Sequence, residues 1–132
     1  MKAAEYAKLI ESGAPKKRKY RNKPVVHDGT RFDSRAELRR WNYLCVLAKA
    51  GKITKLQRQV KYLLFAFNAL QNASVPIKGE GGGHRFYVAD FVYVDEWDKL
   101  RVEDVKGTDT PLSKLKRDIV KACYSIEVEI VR

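Results

Sequence analysis

The chain has 132 residues, which fits one domain with a single modest core, and 45% of them are hydrophobic, which excludes wholesale disorder. The formal net charge of +11 favours a polyanionic partner, with nucleic acid ahead of an anionic membrane. No run of about 18 apolar residues occurs, and charges interrupt the N-terminal segment. The sequence therefore predicts neither a membrane-spanning helix nor a secretory signal.

The cysteines and histidines do not form a recognisable metal or nucleophile pattern. Cys45 and Cys123 each stand among apolar residues of a predicted helix, without a C-x-x-C spacing, as in buried thiols of a cytosolic protein. His27 and His84 are isolated, so a zinc site or a Cys/His pair is not favoured. We expect a cytoplasmic protein with no membrane contact and no organic cofactor.

Residues 1–23 predict an N-terminal helix plus a basic arm within a single domain, 1–132. Residues 1–12 have an amphipathic pattern that Gly13 and Pro15 end, and all six charged side chains of the run KKRKYRNK are positive. Such a run is either a solvated arm or a phosphate-binding one, and the basic character of the whole chain favours phosphate contact. Its predicted DNA-binding residues are Lys16, Lys17, Arg18, Lys19, Arg21 and Lys23.

The segment from Val25 to Lys52 predicts a small hairpin followed by the first long helix. Asp28-Gly29 is a turn signal between short apolar pieces. Ser34 and Glu37 have capping-box spacing, and Gly51 marks the far end of the helix. Arg35 at its start is a further candidate DNA contact. The expected core stripe is Leu38, Trp41, Leu44, Cys45, Leu47 and Ala48.

The stretch ITKLQRQVKYLLFAF predicts one long strand. Gln59 in this strand either points toward acidic residues and orders a water, or satisfies an edge-strand hydrogen bond. From Asn68 to His84 the pattern lapses, which predicts a mobile loop or a ragged hairpin, and the glycine-rich part is only a weak phosphate-binding signal.

The stretch from Phe86 to Gly107 predicts an antiparallel hairpin, FYVADFVYV and LRVEDVK, joined by DEWDK. Asp90 lies on an otherwise apolar strand, while Asp104 and Lys106 follow apolar residues on one face of the second strand. Burying an unpaired carboxylate costs several kcal/mol. The sequence therefore predicts either an internal Lys106–Asp104 ion pair or an acidic cluster that binds Mg²⁺ or Mn²⁺. Glu103 points to the opposite face and is the less favoured ligand.

Thr110 and Pro111 predict the start of a second helix, and YSIEVEIVR predicts a final strand with one wet side. The expected core stripe of the helix is Leu112, Leu115, Ile119 and Ala122. Lys114 and Arg117 fall mostly on the other side, as solvated surface or as part of a DNA-facing band. The order helix, three strands, helix, strand predicts an α/β fold with a mixed sheet and flanking helices.

An Asp in one strand followed by Asp104-Val105-Lys106 in the next resembles the signature of the PD-(D/E)XK nuclease superfamily, although Ala89 stands where the pattern has Pro. The order of KYRNKPVVHDGTRFDSRAELRRWNYL, LQRQVKYLL, YVADFVYVDE, VEDVKG and TPLSKLK is similar to a phage-encoded branch of Holliday-junction-resolvase-like endonucleases. The resemblance covers Lys19 to Val131.

The resemblance implies a restriction-endonuclease-like core and a Mg²⁺- or Mn²⁺-dependent endonuclease that acts on branched DNA as a homodimer in the cytoplasm of a phage-infected bacterium. The catalytic set that it implies is Glu37, Asp90, Asp104 and Lys106, with the three acids as metal ligands and Gln59 in a second tier. Glu37 has a competing explanation as a helix cap. The N-terminal helix and the Trp97 turn are candidate dimer contacts.

Two other functions stay open on the sequence alone. The first is a non-catalytic basic nucleic-acid-binding protein whose acid and lysine residues form a structural ion pair. The second is an interaction protein that uses its basic surface on an anionic membrane or an acidic protein. Metal-dependent cleavage of DNA separates the endonuclease from both.

Overall fold

The computed structural model describes residues 23–132, so the predicted N-terminal helix and the basic arm up to residue 22 lie outside the described residues. Residues 23–132 contain two helices and eight strands. The helices are α1 (Arg35–Lys49) and α2 (Pro111–Tyr124), and the strands are β1 (Val25–His27), β2 (Thr30–Phe32), β3 (Thr54–Leu63), β4 (Phe65–Asn68), β5 (Ala73–Pro76), β6 (Phe86–Val94), β7 (Leu100–Val105) and β8 (Val128–Val131).

A four-stranded mixed sheet in the order β3-β6-β7-β8 is the centre of the fold. Strands β3, β6 and β7 are antiparallel neighbours, and β8 runs parallel to β7. A parallel pair needs a long crossover connection, and α2 supplies it. The predicted order of one helix, three strands, a helix and a strand is confirmed for α1, this sheet and α2, as is the mixed α/β class.

The helices begin as their capping residues predict. The Ser34 side chain accepts a hydrogen bond from the Glu37 N–H at the start of α1, and the Thr110 side chain does the same for Ser113 at the start of α2. Ser125 ends α2 in a left-handed conformation, with φ of 56°. No helix within residues 23–132 is long and apolar enough to cross a membrane.

Two short hairpins flank the sheet. The predicted turn at Asp28-Gly29 joins β1 to β2, with φ of 48° and 75°, the positive values that a tight hairpin turn requires. The predicted long strand from Ile53 to Phe67 is interrupted at the buried Leu64, after which β4 pairs with β5 instead of with the sheet. The region predicted as a loop or ragged hairpin is therefore ordered by β5 and by a bridge between Lys78 and His84.

The core divides into two clusters, one for each helix. Leu44 of α1 packs with Phe91 and Tyr93 of β6. Val120 of α2 packs with Val92 and Val102. Because neighbouring residues of a strand point to opposite faces, the two helices cover opposite sides of β6.

The predicted core stripe of α2 is wrong in part. Leu112 and Leu115 are mostly exposed, whereas Val120 is completely buried and Ile119 packs at its side. The inner side of the first half of α2 carries Arg117, whose guanidinium is neutralised by Asp109 in the preceding loop. A charged residue with a local partner therefore occupies a position where the sequence pattern predicts an apolar one.

Alanine substitutions along α2 distinguish the two sides of this helix. Val120→Ala removes a buried side chain and is expected to lower the free energy of unfolding by about 2 kcal/mol. Leu112→Ala removes an exposed side chain and is expected to change it by about 0.5 kcal/mol or less. Urea denaturation of both variants gives the comparison, and equal losses would contradict this packing of α2.

Candidate active site

The hydrogen-bonded ladder between β6 and β7 stops where the two predicted acids stand. Its last pair is Phe91 with Glu103, so the next residues along the two strands are Asp90 and Asp104. Instead of a backbone carbonyl, the Asp90 carboxylate accepts the Val105 N–H, with 2.8 Å between the nitrogen and Oδ2. The strands thus open into a site that contains both carboxylates, and the Asp90 side chain satisfies the amide left free there.

Asp104 is held by two donors within the sheet. Its carboxylate is almost completely buried, and Oδ2 accepts a hydrogen bond from the Tyr87 hydroxyl at 2.6 Å. Burial and this bond raise the pKa of Tyr87, so the hydroxyl stays a donor at any ordinary pH. Lys106 Nζ lies 3.2 Å from the same oxygen, and its side chain is 23% exposed. The ion pair predicted between Lys106 and Asp104 is present.

Asp90 carries the clearest electrostatic perturbation of the site. Burial, together with the neighbouring carboxylate of Asp104, raises the pKa of Asp90 to about 8. A proton on Asp90 removes the repulsion between the two neighbouring negative charges. The Asp90 carboxyl is therefore protonated at neutral pH when no cation neutralises the charge of the two acids.

Glu37 contacts both the start of α1 and the residues around the predicted acids. Its Oε2 accepts a hydrogen bond from the Asp33 N–H at 3.2 Å, which closes the first turn of α1, whereas the capping box predicted a bond to the backbone of Ser34. Its Oε1 faces the acids and accepts a hydrogen bond from Gln59 Nε2 at 3.3 Å. Burial is the largest cause that raises the pKa of Glu37. One carboxylate thus caps the helix and borders the site.

Gln59 joins Glu37 to Asp90. Its Nε2 also donates to Asp90 Oδ1 at 3.1 Å, so one amide spans carboxylates from α1 and β6. The regular pairing of β3 with β6 skips Gln59, whose φ of 51° is in the left-handed region. That conformation costs a non-glycine residue about 1 kcal/mol. The local strain directs the side chain to the acids, which favours the predicted site role over a plain edge-strand bond.

Arg58 is a site residue that the sequence analysis missed. Its guanidinium carbon lies 4.1 Å from the centre of the Phe32 ring, and Nη2 lies 3.6 Å from Glu37 Oε1. The buried Nε has no hydrogen-bond partner within residues 23–132. The available signal was an arginine directly beside Gln59, the residue of this strand already singled out as facing the acids.

The chemistry of the donor set fits a hard divalent cation at Asp90 and Asp104. Mg²⁺ is commonly bound through one or two carboxylates, with water and phosphate oxygens completing its shell. With the side chains as they stand, no three His, Cys, Asp or Glu residues among the described ones are grouped to hold a metal ion. Gln59 separates Glu37 from Asp90, so the role of Glu37 as a third ligand stays a prediction.

The predicted DNA-binding residues have different surroundings. Lys23, Arg35 and Lys114 are exposed. Arg117 is only 14% exposed, and both of its terminal nitrogens donate to the Asp109 carboxylate, at 3.0 and 2.5 Å. Its contact with DNA stays a prediction. Lys16, Lys17, Arg18, Lys19 and Arg21 lie outside the described residues.

The Trp97 turn lies away from the acids, at the closed end of the β6–β7 hairpin. Trp97 is 72% exposed and borders a cleft of about 390 Å³ between this turn and α1. Asp95 shapes the turn by accepting hydrogen bonds from the backbone of Trp97 and Lys99. The cleft contains none of the predicted catalytic residues, and the role of Trp97 in a dimer stays a prediction.

The raised pKa of Asp90 predicts a pH dependence of stability. The folded chain holds this proton up to about pH 8, whereas an unfolded Asp releases it near 3.8. Between these values the folded state binds more protons, so raising the pH lowers the free energy of unfolding. In urea titrations with a chelator present, the wild type is expected to lose stability from pH 5 to 8 more steeply than Asp90→Asn. Parallel curves would contradict the assignment.

A family match covers most of the chain. The family model described as "Protein of unknown function (DUF1064)" matches residues 17–131, which include the arm from Lys17 and all of the predicted site residues except Lys16. No significant match was found among curated proteins or among solved structures. The chain therefore belongs to the DUF1064 family.

Proposed function

We propose that this chain is a metal-dependent endonuclease that hydrolyses DNA phosphodiester bonds, with a restriction-endonuclease-like core of the PD-(D/E)XK type. One observation carries the proposal. Two carboxylates, the half-buried Asp90 and the buried Asp104, meet where the β6–β7 ladder ends, with the Lys106 ammonium 3.2 Å from Asp104. By the same resemblance, the favoured substrate is branched DNA, cut by a homodimer in the cytoplasm of a phage-infected bacterium.

The energetics of the two carboxylates support a cation-dependent role. A protein that needed only an internal ion pair would be served by one acid and Lys106. The second acid adds repulsion that the chain relieves by keeping a proton on Asp90. Groups with pKa values this far from their ordinary ones concentrate at functional sites. The net charge of +11 supports a polyanionic substrate.

Asp90 and Asp104 would hold the divalent ion, with Glu37 at the border of the site. When bound, Mg²⁺ or Mn²⁺ supplies positive charge to the scissile phosphate and lowers the pKa of a coordinated water. The oxygen donors of the site suit these hard cations better than soft ones. The proton on Asp90 must leave before its carboxylate ligates, so metal binding in this proposal releases a proton below about pH 8.

The side chains around the acids have separate tasks in this proposal. Lys106 is partly exposed, so its ammonium can reach a phosphate and stabilise the negative charge that builds up during hydrolysis. The Tyr87 hydroxyl keeps Asp104 in one orientation. The Gln59 amide fixes Asp90 against Glu37 and offers a hydrogen-bond donor to a water or a phosphate oxygen once a cation holds the acids.

A non-catalytic basic nucleic-acid-binding protein is the second candidate. The direct Lys106–Asp104 contact favours it, because a structural ion pair needs the same geometry. The absence of a three-acid group among residues 23–132 is consistent with it as well. Such a protein would bind DNA equally well with Mg²⁺ or with a chelator, and it would leave the DNA uncut.

Substitution of the central acid and the lysine tests the endonuclease. Asp104→Asn and Lys106→Ala are expected to lower the cleavage rate by at least about 100-fold, while DNA binding stays within a few-fold. The first change removes a ligand of the proposed metal ion, and the second removes positive charge that stabilises the transition state. The assay uses a synthetic four-way junction, a flap and a linear duplex, each with Mg²⁺ and with chelator.

Asp98→Asn and Lys99→Ala are the matched controls, since they make the same chemical changes at exposed positions of the β6–β7 turn. They are expected to cut at the wild-type rate. Wild-type cleavage by either Asp104→Asn or Lys106→Ala would overturn the assignment. A wild-type chain that binds all three substrates and cuts none would support the non-catalytic candidate.

The basic arm is tested through the salt dependence of binding. Replacing Lys16, Lys17, Arg18 and Lys19 by Gln is expected to weaken DNA binding and to reduce the slope of log K against log salt by about 0.9 for each phosphate that the arm no longer neutralises. Fluorescence anisotropy across a salt series measures both quantities. The control replaces four exposed lysines outside the arm, Lys49, Lys52, Lys55 and Lys99. An equal effect in both variants would mean that net charge, and not the arm, drives binding.

A further inference from the structure

A partly buried ion pair joins α1 to β7 and has no part in the proposed chemistry. Arg40 Nε and Nη2 donate to the two carboxylate oxygens of Glu103, at 2.8 and 2.6 Å. The Tyr93 hydroxyl donates to Glu103 Oε2 at 2.5 Å. Glu103 is completely buried. Both of its oxygens are thus satisfied by donors from two other elements.

The positions of the paired residues relate the pair to the site. Arg40 follows Glu37 by three residues, which is about one turn of α1. Glu103 directly precedes Asp104 on β7. The pair therefore joins α1 to β7 at points one helical turn from Glu37 and one residue from Asp104.

Stability alone does not account for such a pair. A buried ion pair can often be replaced by apolar residues of similar size without loss of stability, because desolvation offsets the attraction. Its distinctive property is directional: the planar guanidinium fork fits a carboxylate in one geometry. The remaining contacts of α1 with the sheet include Leu44, Leu47 and Ala48, whose apolar packing is less directional.

We propose that Arg40 and Glu103 are positioning residues that fix α1 against β7 and thereby set the place of Glu37 relative to Asp90 and Asp104. The inference about metal binding rests on the proposed function. The inference about geometry does not, because the Val105 N–H reports on it directly through its bond to Asp90. Loosening α1 releases Glu37 from Gln59, and Gln59 then no longer holds the Asp90 carboxylate. The Val105 N–H that this carboxylate accepts becomes less protected from exchange.

A second bidentate pair on the same strand provides a matched control. Arg101 donates to both oxygens of Glu129 on β8, at 2.7 and 2.6 Å. This pair also ties β7 to a neighbouring element, but Arg101 lies three residues before Asp104 and its partner strand carries none of the predicted catalytic residues. Loss of this pair removes a similar interaction without touching α1.

The experiment compares Arg40→Met, Arg40→Lys, the double variant Arg40→Met with Glu103→Leu, and Arg101→Met. The double variant removes both charges of the pair together and so avoids an unpaired buried carboxylate, which keeps the test valid if Arg40→Met does not fold. Three quantities are measured: the free energy of unfolding in urea, the hydrogen-exchange rate of the Val105 amide, and the affinity for Mg²⁺ by calorimetry.

In the double variant we expect a modest loss of stability, because the buried Tyr93 hydroxyl loses its acceptor. We also expect Val105 exchange about tenfold faster than global unfolding explains, and Mg²⁺ affinity about 10- to 100-fold weaker. Arg40→Lys is expected to lie between this variant and the wild type, and Arg101→Met is expected to leave exchange and affinity unchanged. Wild-type exchange at Val105 in the double variant would overturn the proposal. If the wild type binds no Mg²⁺, the proposed function fails, and Val105 exchange still decides the positioning role.

Discussion

The mutual repulsion of two carboxylates in a confined site is the constraint on which the rest of this structure depends. Asp90 and Asp104 are the first residues beyond the last hydrogen-bonded pair of β6 and β7, Phe91 with Glu103. The surrounding residues compensate for the charge with donors: the Val105 amide, the Tyr87 hydroxyl and the Lys106 ammonium. The remaining imbalance appears as the pKa of about 8 at Asp90.

Other costs of the fold occur next to these acids. Gln59 has a left-handed backbone conformation inside a strand, and Arg58 leaves its buried Nε without a hydrogen-bond partner among the described residues. Each costs on the order of 1 kcal/mol or more. A chain selected only for stability would lose both at little structural expense. Both residues contact the candidate site, since Arg58 lies 3.6 Å from Glu37 and Gln59 donates to Glu37 and Asp90, and costs of this kind cluster at functional sites in proteins generally.

Sequence patterns predicted those parts of the fold that local signals determine. Caps at Ser34 and Thr110, the Asp28-Gly29 turn and the alternation of the final strand are readable because each depends on a few adjacent residues. The orientation of α2 could not be predicted from its apolar pattern, because the inner position of Arg117 depends on an ion pair with Asp109 in the loop before the helix. In the site, the strand pattern and the family resemblance predicted Glu37, Asp90, Asp104 and Lys106, whereas the positive φ of Gln59 arises from how β3 pairs with β6.

The two adjacent acids of β7 show how one strand separates a structural charge from an available one. Glu103 faces α1, and the Arg40 fork and Tyr93 hydroxyl occupy both of its oxygens. Asp104 faces the other way, and its contacts with Tyr87 and Lys106 both fall on Oδ2, so Oδ1 receives neither donor. A carboxylate with a free oxygen beside a second acid retains capacity for a cation. Alternation along the strand thus gives Glu103 a structural role and leaves Asp104 as the acid that the proposed chemistry uses.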